Sequence, residues 1–137
     1  MSACIFCKII KGEIPCFKLT ENNNALAFLD INPLSKGHAL VIPKTHAAKL
    51  VDLPDEDLKA ILPMVRDIAK AAGAVDFNVL QNNGKIAHQE VEHVHFHMIP
   101  KPSVELGLGL RWNQQDADMD SLKVLHEELK SKMPPKI

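Results

Sequence analysis

Histidines at three alternate positions constrain this chain more than any other feature of its sequence. His93, His95 and His97 are separated by single apolar residues, and Pro100 follows shortly after. Side chains alternate between the two faces of a β-strand, so a strand places all three imidazoles on one face. A helix would spread them over more than half of its circumference. The pattern therefore predicts a strand with an imidazole face that lines a site.

The opposite face of this strand, with Val94, Phe96 and Met98, is predicted to face the core. A single histidine on a strand is usually exposed or hydrogen-bonded, and His-x-His pairs often bind metal ions. Three imidazoles in register are costly to bury without partners, which favours a functional role over a purely structural one. Neutral imidazole is also a good nucleophile near pH 7. Metal binding and covalent catalysis are therefore both compatible with the pattern.

Length and composition indicate one domain with a single core. The chain has 137 residues, of which 46% are hydrophobic and 24% charged. Its net charge of −1 argues against a nucleic-acid polymer as partner, while a small anionic ligand needs only local donors. We expect no membrane association, because no apolar run is long enough to span a bilayer and no signal peptide is recognisable. The odd cysteine count predicts a reducing cytoplasmic or nuclear setting.

Apolar periodicity and turn residues predict an antiparallel sheet with one long helix and short terminal helices. Strands are predicted at 17–20, 25–31, 38–42 and 77–81 and through the three alternate histidines. The long helix is predicted from Pro54 to about Ala72, with Pro63 kinking it or shifting its start. Short helices are predicted at 4–12, with Ser2 as a candidate cap, and at 121–129.

The segment His93–Ile99, His-φ-His-φ-His-φ-φ with φ apolar, resembles the signature of the histidine triad (HIT) superfamily of nucleotide hydrolases and transferases. The likeness extends over about Cys4 to Trp112 and is greatest to the Hint branch of adenosine 5′-phosphoramidases, in a fungal or bacterial style. It implies an α+β HIT fold, one domain over 1–137 whose C-terminal helix and tail occupy about 117–137. It also implies a homodimer with a sheet that continues across the two-fold axis.

The resemblance implies hydrolysis of adenosine 5′-phosphoramidates to AMP and an amine through a covalent nucleotidyl-histidine. His95 would be the nucleophile, His97 would contact the phosphate, and His38 would complete a relay around the leaving group. The implied nucleotide-binding residues, besides His95 and His97, are Phe28 and Ile31 at the base, Asp30 at the ribose, Asn82 near ribose and phosphate, and His88, Gln89 and Glu90 in the phosphate loop. Animal-type Hint proteins have Gly-Gln-Ser where this chain has residues 88–90, so their serine donor is absent here.

The Cys-x-x-Cys pair formed by Cys4 and Cys7 has three interpretations on its own: half a zinc site, a redox pair, or two small core residues. The similar transferase branch of the superfamily binds zinc through a cysteine pair, a remote histidine and the first triad histidine. The resemblance therefore implies a closed structural zinc site of Cys4, Cys7, His46 and His93, with no catalytic metal and no organic cofactor. The third cysteine, Cys16, is expected to be a core thiol.

Three alternatives to phosphoramidate hydrolysis are kept. The first is cleavage of dinucleoside polyphosphates, as in the Fhit branch. The second is a metal-dependent enzyme that uses the three histidines as ligands, and the third is a nucleotide-binding interaction protein without catalysis. The charge pattern favours phosphoramidates over polyphosphates, because Lys85 is the only lysine or arginine between Asn82 and Pro100. A polyphosphate chain needs several positive charges to neutralise it.

Overall fold

The structure, a computed structural model, describes residues 3–135 and contains one five-stranded antiparallel sheet in the order β1-β2-β3-β5-β4. The strands are β1 (Lys18–Glu21), β2 (Ala25–Leu29), β3 (Ala39–Pro43), β4 (Phe77–Gln81) and β5 (Phe96–Pro100). The α-helices are α1 (Ile5–Ile10), α2 (Asp55–Ala72) and α3 (Met119–Lys132). The predicted α+β architecture is confirmed. The candidate cap Ser2 lies outside the described residues, and Cys4 is the N-cap of α1.

Helix α2 covers one face of the sheet. Small side chains under the helix allow it to approach closely: Ala25, Ala27 and Ala39 are fully buried there, beside Val41. The helix contributes Ile61, Met64, Val65, Ile68 and Ala69 to this cluster. Burial of one such aliphatic side chain contributes roughly 1.5–3 kcal/mol, so this cluster is a main source of the stability of the fold.

The ends of α2 follow the sequence signals, although its interior contains a proline. Acidic residues fill its first turn, where the positive end of the helix dipole favours them. Gly73 ends the helix at φ 65°, a left-handed conformation that glycine adopts without steric cost. The helix continues through Pro63, which lies on its exposed side, and no shift of the predicted start is seen.

The opposite face of the sheet packs against α1 and carries the candidate site. Leu26 and Phe28 of β2 and Leu40 and Ile42 of β3 form a second buried cluster with Phe6 of α1. These residues alternate along each strand with those that face α2, as the period of two requires. The sheet therefore separates a mainly apolar α2 layer from a layer on the opposite face that contains the candidate site residues.

The triad strand is shorter than the alternation predicts, because β5 begins only at Phe96. His93 and His95 precede the strand, yet the alternation of faces persists. Val94 and Met98 are fully buried in the α2 layer, while His97 lies on the other face, paired in register with Leu40 of β3.

Two parts of the chain leave apolar side chains exposed. Strand β4 is an edge of the sheet, with Phe77 41% and Val79 47% exposed. Helix α3 has no buried residue, although Leu122, Leu125 and Leu129 lie along it. Among residues 3–135, no helix combines the length and the apolar character needed to cross a bilayer.

Candidate active site and metal centre

The predicted nucleophile, His95, is buried and held in one tautomer. Its side chain is 6% exposed, and its Nδ1 lies 2.7 Å from the carbonyl oxygen of His93. A carbonyl oxygen only accepts, so Nδ1 carries the proton and the lone pair of the neutral imidazole lies on Nε2. Burial lowers the pKa of His95, which favours this neutral form near pH 7. An unprotonated Nε2 is the form that can attack phosphorus.

A chain of hydrogen bonds also fixes the tautomers of His38 and His97. The backbone N–H of Leu34 donates to Nδ1 of His38 at 3.0 Å, so the proton of neutral His38 is on Nε2. That Nε2 lies 2.9 Å from Nδ1 of His97 and donates to it. The proton of neutral His97 is therefore on Nε2. The rings of His95 and His97 are 5.0 Å apart between centroids, so a ring with an unprotonated Nε2 and a ring with an Nε2–H donor are neighbours.

Both imidazoles of this relay are neutral near pH 7. Burial, followed by repulsion from His95 and His38, lowers the pKa of His97 to about 4. Burial also lowers the pKa of His38, although Asp30, whose Oδ2 lies 3.5 Å from His38 Nε2, acts in the opposite direction. An anion bound beside His97 would favour its protonated form and raise its pKa. The site therefore gains affinity for a proton when a phosphate enters.

The predicted phosphate loop is anchored by its one buried polar side chain, Gln89, which is 6% exposed. The side-chain amide of Gln89 donates to the carbonyl of Ala48 at 2.6 Å. Its side-chain oxygen accepts from the backbone N–H of Gly84 at 2.7 Å. Both ends of this side chain are thus engaged by the backbone, and Gln89 shapes the loop that the resemblance assigns to phosphate.

His88, beside this anchor, has a left-handed backbone with φ 69°, which is uncommon for a residue with a Cβ. Its carbonyl accepts a hydrogen bond of 3.2 Å from the side-chain amide of Asn82. The side chains of His88 and Glu90 are exposed on either side of Gln89, with His88 Nε2 3.6 Å from Glu90 Oε1. Residues in such sparsely populated conformations are concentrated at functional sites.

Two adjoining cavities meet at His95 and His97. The first, about 300 Å³, is mostly apolar and is lined by Ile5, Phe6, Ile9, Ile14, Pro15, Cys16, Phe28, Leu29, Asp30, Ile31, Asn32, Leu40, Glu90, Val91, His95 and His97. The second, about 320 Å³, is lined by Asp30, Asn32, Leu34, His38, Leu80, Asn82, His88, Glu90, His95, His97, Ile99 and Leu108. Every residue predicted for catalysis or nucleotide binding lines one of these cavities except Gln89.

The predicted metal ligands form a separate cluster at the N-terminal end of α1. Nδ1 of His93 lies 3.4 Å from Sγ of Cys4, 3.7 Å from Sγ of Cys7 and 3.2 Å from Nδ1 of His46. All four ligand atoms lie within 4.8 Å of one another. Bonds of about 2.0 Å to nitrogen and 2.3 Å to sulfur put tetrahedral ligands roughly 3.3–3.8 Å apart. The four residues are therefore positioned to bind a metal.

Hydrogen bonding and charge support a metal at this cluster. Nε2 of His93 lies 2.9 Å from the carbonyl of Pro43 and donates to it, so its Nδ1 lone pair points toward the other ligands. Burial and the neighbouring Cys4 raise the pKa of the Cys7 thiol. Two adjacent thiolates are thus unfavourable without a cation, and a divalent metal would supply that charge.

The metal cluster and the predicted nucleophile share His93. Its side chain belongs to the cluster, while its carbonyl oxygen accepts from Nδ1 of His95. Phe6, which lies between the two cysteines in sequence, packs edge-on against both rings, with centroids 5.8 Å from His93 and 5.1 Å from His95. His93 lines neither cavity. One of the three alternate histidines thus belongs to the metal cluster instead of the substrate cavities.

A second group with metal-ligating atoms consists of Asp30, His38 and His97. Its hydrogen bonds argue against a metal, because the proton on His38 Nε2 occupies the position that a metal ion would need. The geometry therefore favours a proton relay at this group. The predicted alternative, a metal held by the three alternate histidines, is not favoured either, because His93 and His97 belong to different groups and His95 belongs to neither.

Two contributors to the site were missed from the sequence. Leu34 fixes the tautomer of His38 through its backbone N–H, which no side-chain pattern reveals. Cys16 packs against the second buried cluster, in agreement with its prediction as a core thiol, but it is half-buried and also lines the first cavity, which was not predicted.

Comparison with known proteins agrees with this geometry. The sequence matches the HIT domain family over residues 11–104. An adenosine 5′-monophosphoramidase from Schizosaccharomyces pombe is 59% identical over 131 residues, which cover 96% of this chain and 98% of that protein. The crystal structure of a histidine triad nucleotide-binding protein from Candida albicans has a TM-score of 0.91 at 51% identity, covering 95% of this chain and 96% of that one.

A zinc-bound histidine triad family protein from Mycobacterium smegmatis has a TM-score of 0.71 at 34% identity, covering 96% of this chain and 99% of that one. The family match covers most of the chain, and the relatives span nearly all of it. The chain belongs to the HIT family. The resemblance to its Hint branch of phosphoramidases is confirmed.

Proposed function

We propose that this chain hydrolyses adenosine 5′-phosphoramidates to AMP and an amine through a nucleotidyl-His95 intermediate. The observation that carries the proposal is the tautomer of His95, whose Nδ1 donates to the carbonyl of His93 and leaves Nε2 unprotonated beside two cavities. The 59% identical relative, named as an adenosine 5′-monophosphoramidase, supports the choice of substrate. The direct test is release of AMP from an adenosine phosphoramidate, and its absence would overturn the proposal.

In the first step, Nε2 of His95 attacks phosphorus and the P–N bond breaks. The nitrogen keeps the bonding electrons and must gain a proton to leave as an amine. His97 is the proposed donor: a bound phosphate raises its pKa from about 4, so His97 takes up a proton with the substrate, donates one to the nitrogen and becomes neutral. Before the substrate binds, His38 orients neutral His97 by donating to its Nδ1. Water does not react in this first step, so the burial of His95 does not hinder the attack on phosphorus.

In the second step, water attacks the phosphorus of the nucleotidyl-histidine. One proton of the water returns to His97, the new P–O bond forms, and the P–N bond electrons return to Nε2 of His95. When AMP leaves, His97 loses the proton that it took up with the substrate, and the enzyme regains its starting protonation. Covalent catalysis thus divides one difficult displacement into two easier ones.

The nucleotide-binding assignments fit the two cavities. Phe28 and Ile31 line the first cavity, whose apolar character suits a purine base. Asp30 lines both cavities, a suitable position for an acceptor of ribose hydroxyls, and Asn82 lines the second. We propose that the base occupies the first cavity and that the phosphate lies between His95, His97 and the loop 84–92. The partner is therefore a purine nucleotide, such as AMP or one of its phosphoramidates.

We further propose that the metal held by Cys4, Cys7, His46 and His93 is a structural zinc ion. Two thiolates and two imidazoles form a closed set with no position left for substrate. A zinc ion there would fasten α1 to the sheet, because two of its ligands are at the start of that helix. Zinc would supply folding free energy, and no step of the reaction involves it.

Thiolate ligands also support a reducing cytoplasmic or nuclear setting for the protein. Detection of the native chain only in an oxidising compartment would contradict this proposal.

We expect the purified protein to contain about one zinc ion per chain and to remain active when chelators remove free metal. Cys4→Ser should lower the melting temperature more than it lowers kcat, because binding free energy at a structural site becomes folding free energy. Elemental analysis, thermal melting and steady-state rates test this. Cys16→Ser, at a cysteine outside the metal cluster, is the control for zinc content.

Two results would contradict the zinc assignment. One is the absence of zinc from protein prepared with ample metal. The other is activity that disappears on chelation, with the fold unchanged, and returns with added metal, which would favour a catalytic metal.

We propose that the chain forms a homodimer whose sheet continues through β4. An edge strand has unpaired backbone donors and acceptors, and the apolar Phe77 and Val79 are about half exposed on it. Helix α3 has an apolar side without a partner within the described chain, which also supports association. Equilibrium sedimentation should therefore give a dimer mass, twice 15.2 kDa. Val79→Lys should weaken the dimer, because it places a charge on β4. Val104→Lys, at an exposed residue outside β4, is the control and should leave the dimer intact. A monomeric wild type at micromolar concentration would refute the proposal.

A further inference from the structure

Two exposed residues of the phosphate loop, His88 and Glu90, have their backbone anchored through Gln89. Buried Gln89 is hydrogen-bonded at both ends of its side chain, to Ala48 and Gly84. Its neighbours His88 and Glu90, with side chains 81% and 78% exposed, are consequently held on either side of it. Both line the second cavity together with His95 and His97. Glu90 also lines the first cavity, so it lies where the two cavities meet.

The charge of this junction is negative. Asp30 and Glu90 are the only acidic residues that line either cavity, and no lysine or arginine from residues 3–135 lines them. Asp30 is engaged within the chain: its Oδ1 accepts from the backbone N–H of Asn32 at 2.8 Å, and its Oδ2 lies 3.5 Å from Nε2 of His38. Glu90 has a single near partner, Nε2 of His88 at 3.6 Å. Because Asp30 is also the proposed acceptor of the ribose hydroxyls, the carboxylate of Glu90 is the acidic group that remains for the leaving group.

On the proposed placement of the nucleotide, the leaving group lies beside this carboxylate. With the base in the apolar first cavity and phosphorus beside His95, the second cavity is the space left for the leaving group, and Glu90 lines it. A carboxylate beside the departing amine attracts a second positive charge on it and repels a negative one.

We propose that Glu90 is a specificity-determining residue that selects adenosine phosphoramidates whose leaving amine carries a second, distal ammonium group. Diamines, polyamines and basic amino acids have this chemistry. The inference rests on the proposed phosphoramidase function and adds the class of leaving group to it. Because Glu90 is largely exposed, the preference is modest, about three- to fivefold in kcat/KM at low ionic strength, and added salt screens it.

The test compares two substrates of equal length: the adenosine phosphoramidate of a diamine and that of the matching amino alcohol. Wild type should prefer the diamine about three- to fivefold, and the ratio should fall toward one as salt is added. Glu90→Gln should bring the ratio to about one at low salt. Glu105→Gln, which removes an exposed carboxylate outside both cavities, should keep the wild-type ratio.

The readout is a ratio, so a general loss of rate in Glu90→Gln does not imitate the effect. A wild-type ratio near one, a ratio that is independent of salt, or a preference that survives Glu90→Gln would overturn the role of Glu90. Failure of the proposed function gives a different result, because wild type would then cleave neither the diamine nor the amino-alcohol compound. Cleavage of both at equal rates leaves the phosphoramidase intact and removes only the leaving-group preference.

Discussion

His95→Ala is expected to lower kcat by roughly 10⁴-fold or more, the scale seen when a covalent nucleophile is removed from an enzyme. The structure gives the reason, because His95 alone presents an unprotonated Nε2 whose tautomer is fixed by a backbone carbonyl. His97 presents an N–H instead, since its Nδ1 accepts from His38. No neighbouring imidazole in the described chain is therefore prepared to replace the nucleophile.

AMP binding and folding should persist in His95→Ala and in the closer isostere His95→Asn. Calorimetry with AMP and thermal melting test this, with His126→Ala, an exposed position on α3, as the control that should keep full activity. A kcat above about a tenth of the wild-type value in His95→Ala would show that His95 is not the nucleophile. If His95→Ala loses both its fold and AMP binding, the kcat of His95→Asn decides whether His95 is the nucleophile.

The second large effect is a preference for adenosine phosphoramidates over dinucleoside polyphosphates. We expect kcat/KM for an adenosine phosphoramidate to exceed that for diadenosine tri- or tetraphosphate by at least about a hundredfold, roughly 2.7 kcal/mol in the barrier. The leaving nitrogen of a phosphoramidate needs a proton, and His97, hydrogen-bonded to His38, is the proposed donor. A polyphosphate needs cations, and the described cavity walls contain carboxylates without lysine or arginine.

The comparison requires both substrates at equal concentration, in chelator, with AMP release as the common readout. Added magnesium serves as the control, because it could neutralise a polyphosphate without any help from the protein. Equal rates for the two substrates, or faster cleavage of the dinucleotides, would assign this chain to polyphosphate hydrolysis instead.

Much of the fold follows from local patterns. The period of two along the triad segment predicted both faces correctly, and the bounds of the fourth strand, Phe77–Gln81, match the prediction residue for residue. Helix α2 ends at Gly73 as predicted. These features depend on side-chain periodicity and turn chemistry, which are local in the sequence. Strand ends were less predictable, because β5 begins at Phe96 where pairing with β3 and β4 becomes possible.

The site was harder to predict from local patterns, because its residues are far apart in the sequence. His46 and His93 are 47 residues apart, yet their Nδ1 atoms are 3.2 Å from each other. Only the family resemblance indicated that pairing. The different roles of His93 and His95 depend on two carbonyl oxygens, those of Pro43 and His93 itself. Backbone acceptors of this kind have no sequence signature, so tautomers and proton paths required the three-dimensional structure.

The stereochemical course at phosphorus tests the covalent mechanism most directly. An adenosine phosphoramidate made chiral by one sulfur on phosphorus can be hydrolysed in isotopically labelled water, and the configuration of the thiophosphate product then determined. Attack by His95 followed by attack of water inverts phosphorus twice, so the mechanism predicts overall retention. Direct attack of water, with the histidines acting only as acids, bases or metal ligands, would invert it once. Retention is the result we expect, and inversion would contradict the nucleotidyl-His95 intermediate.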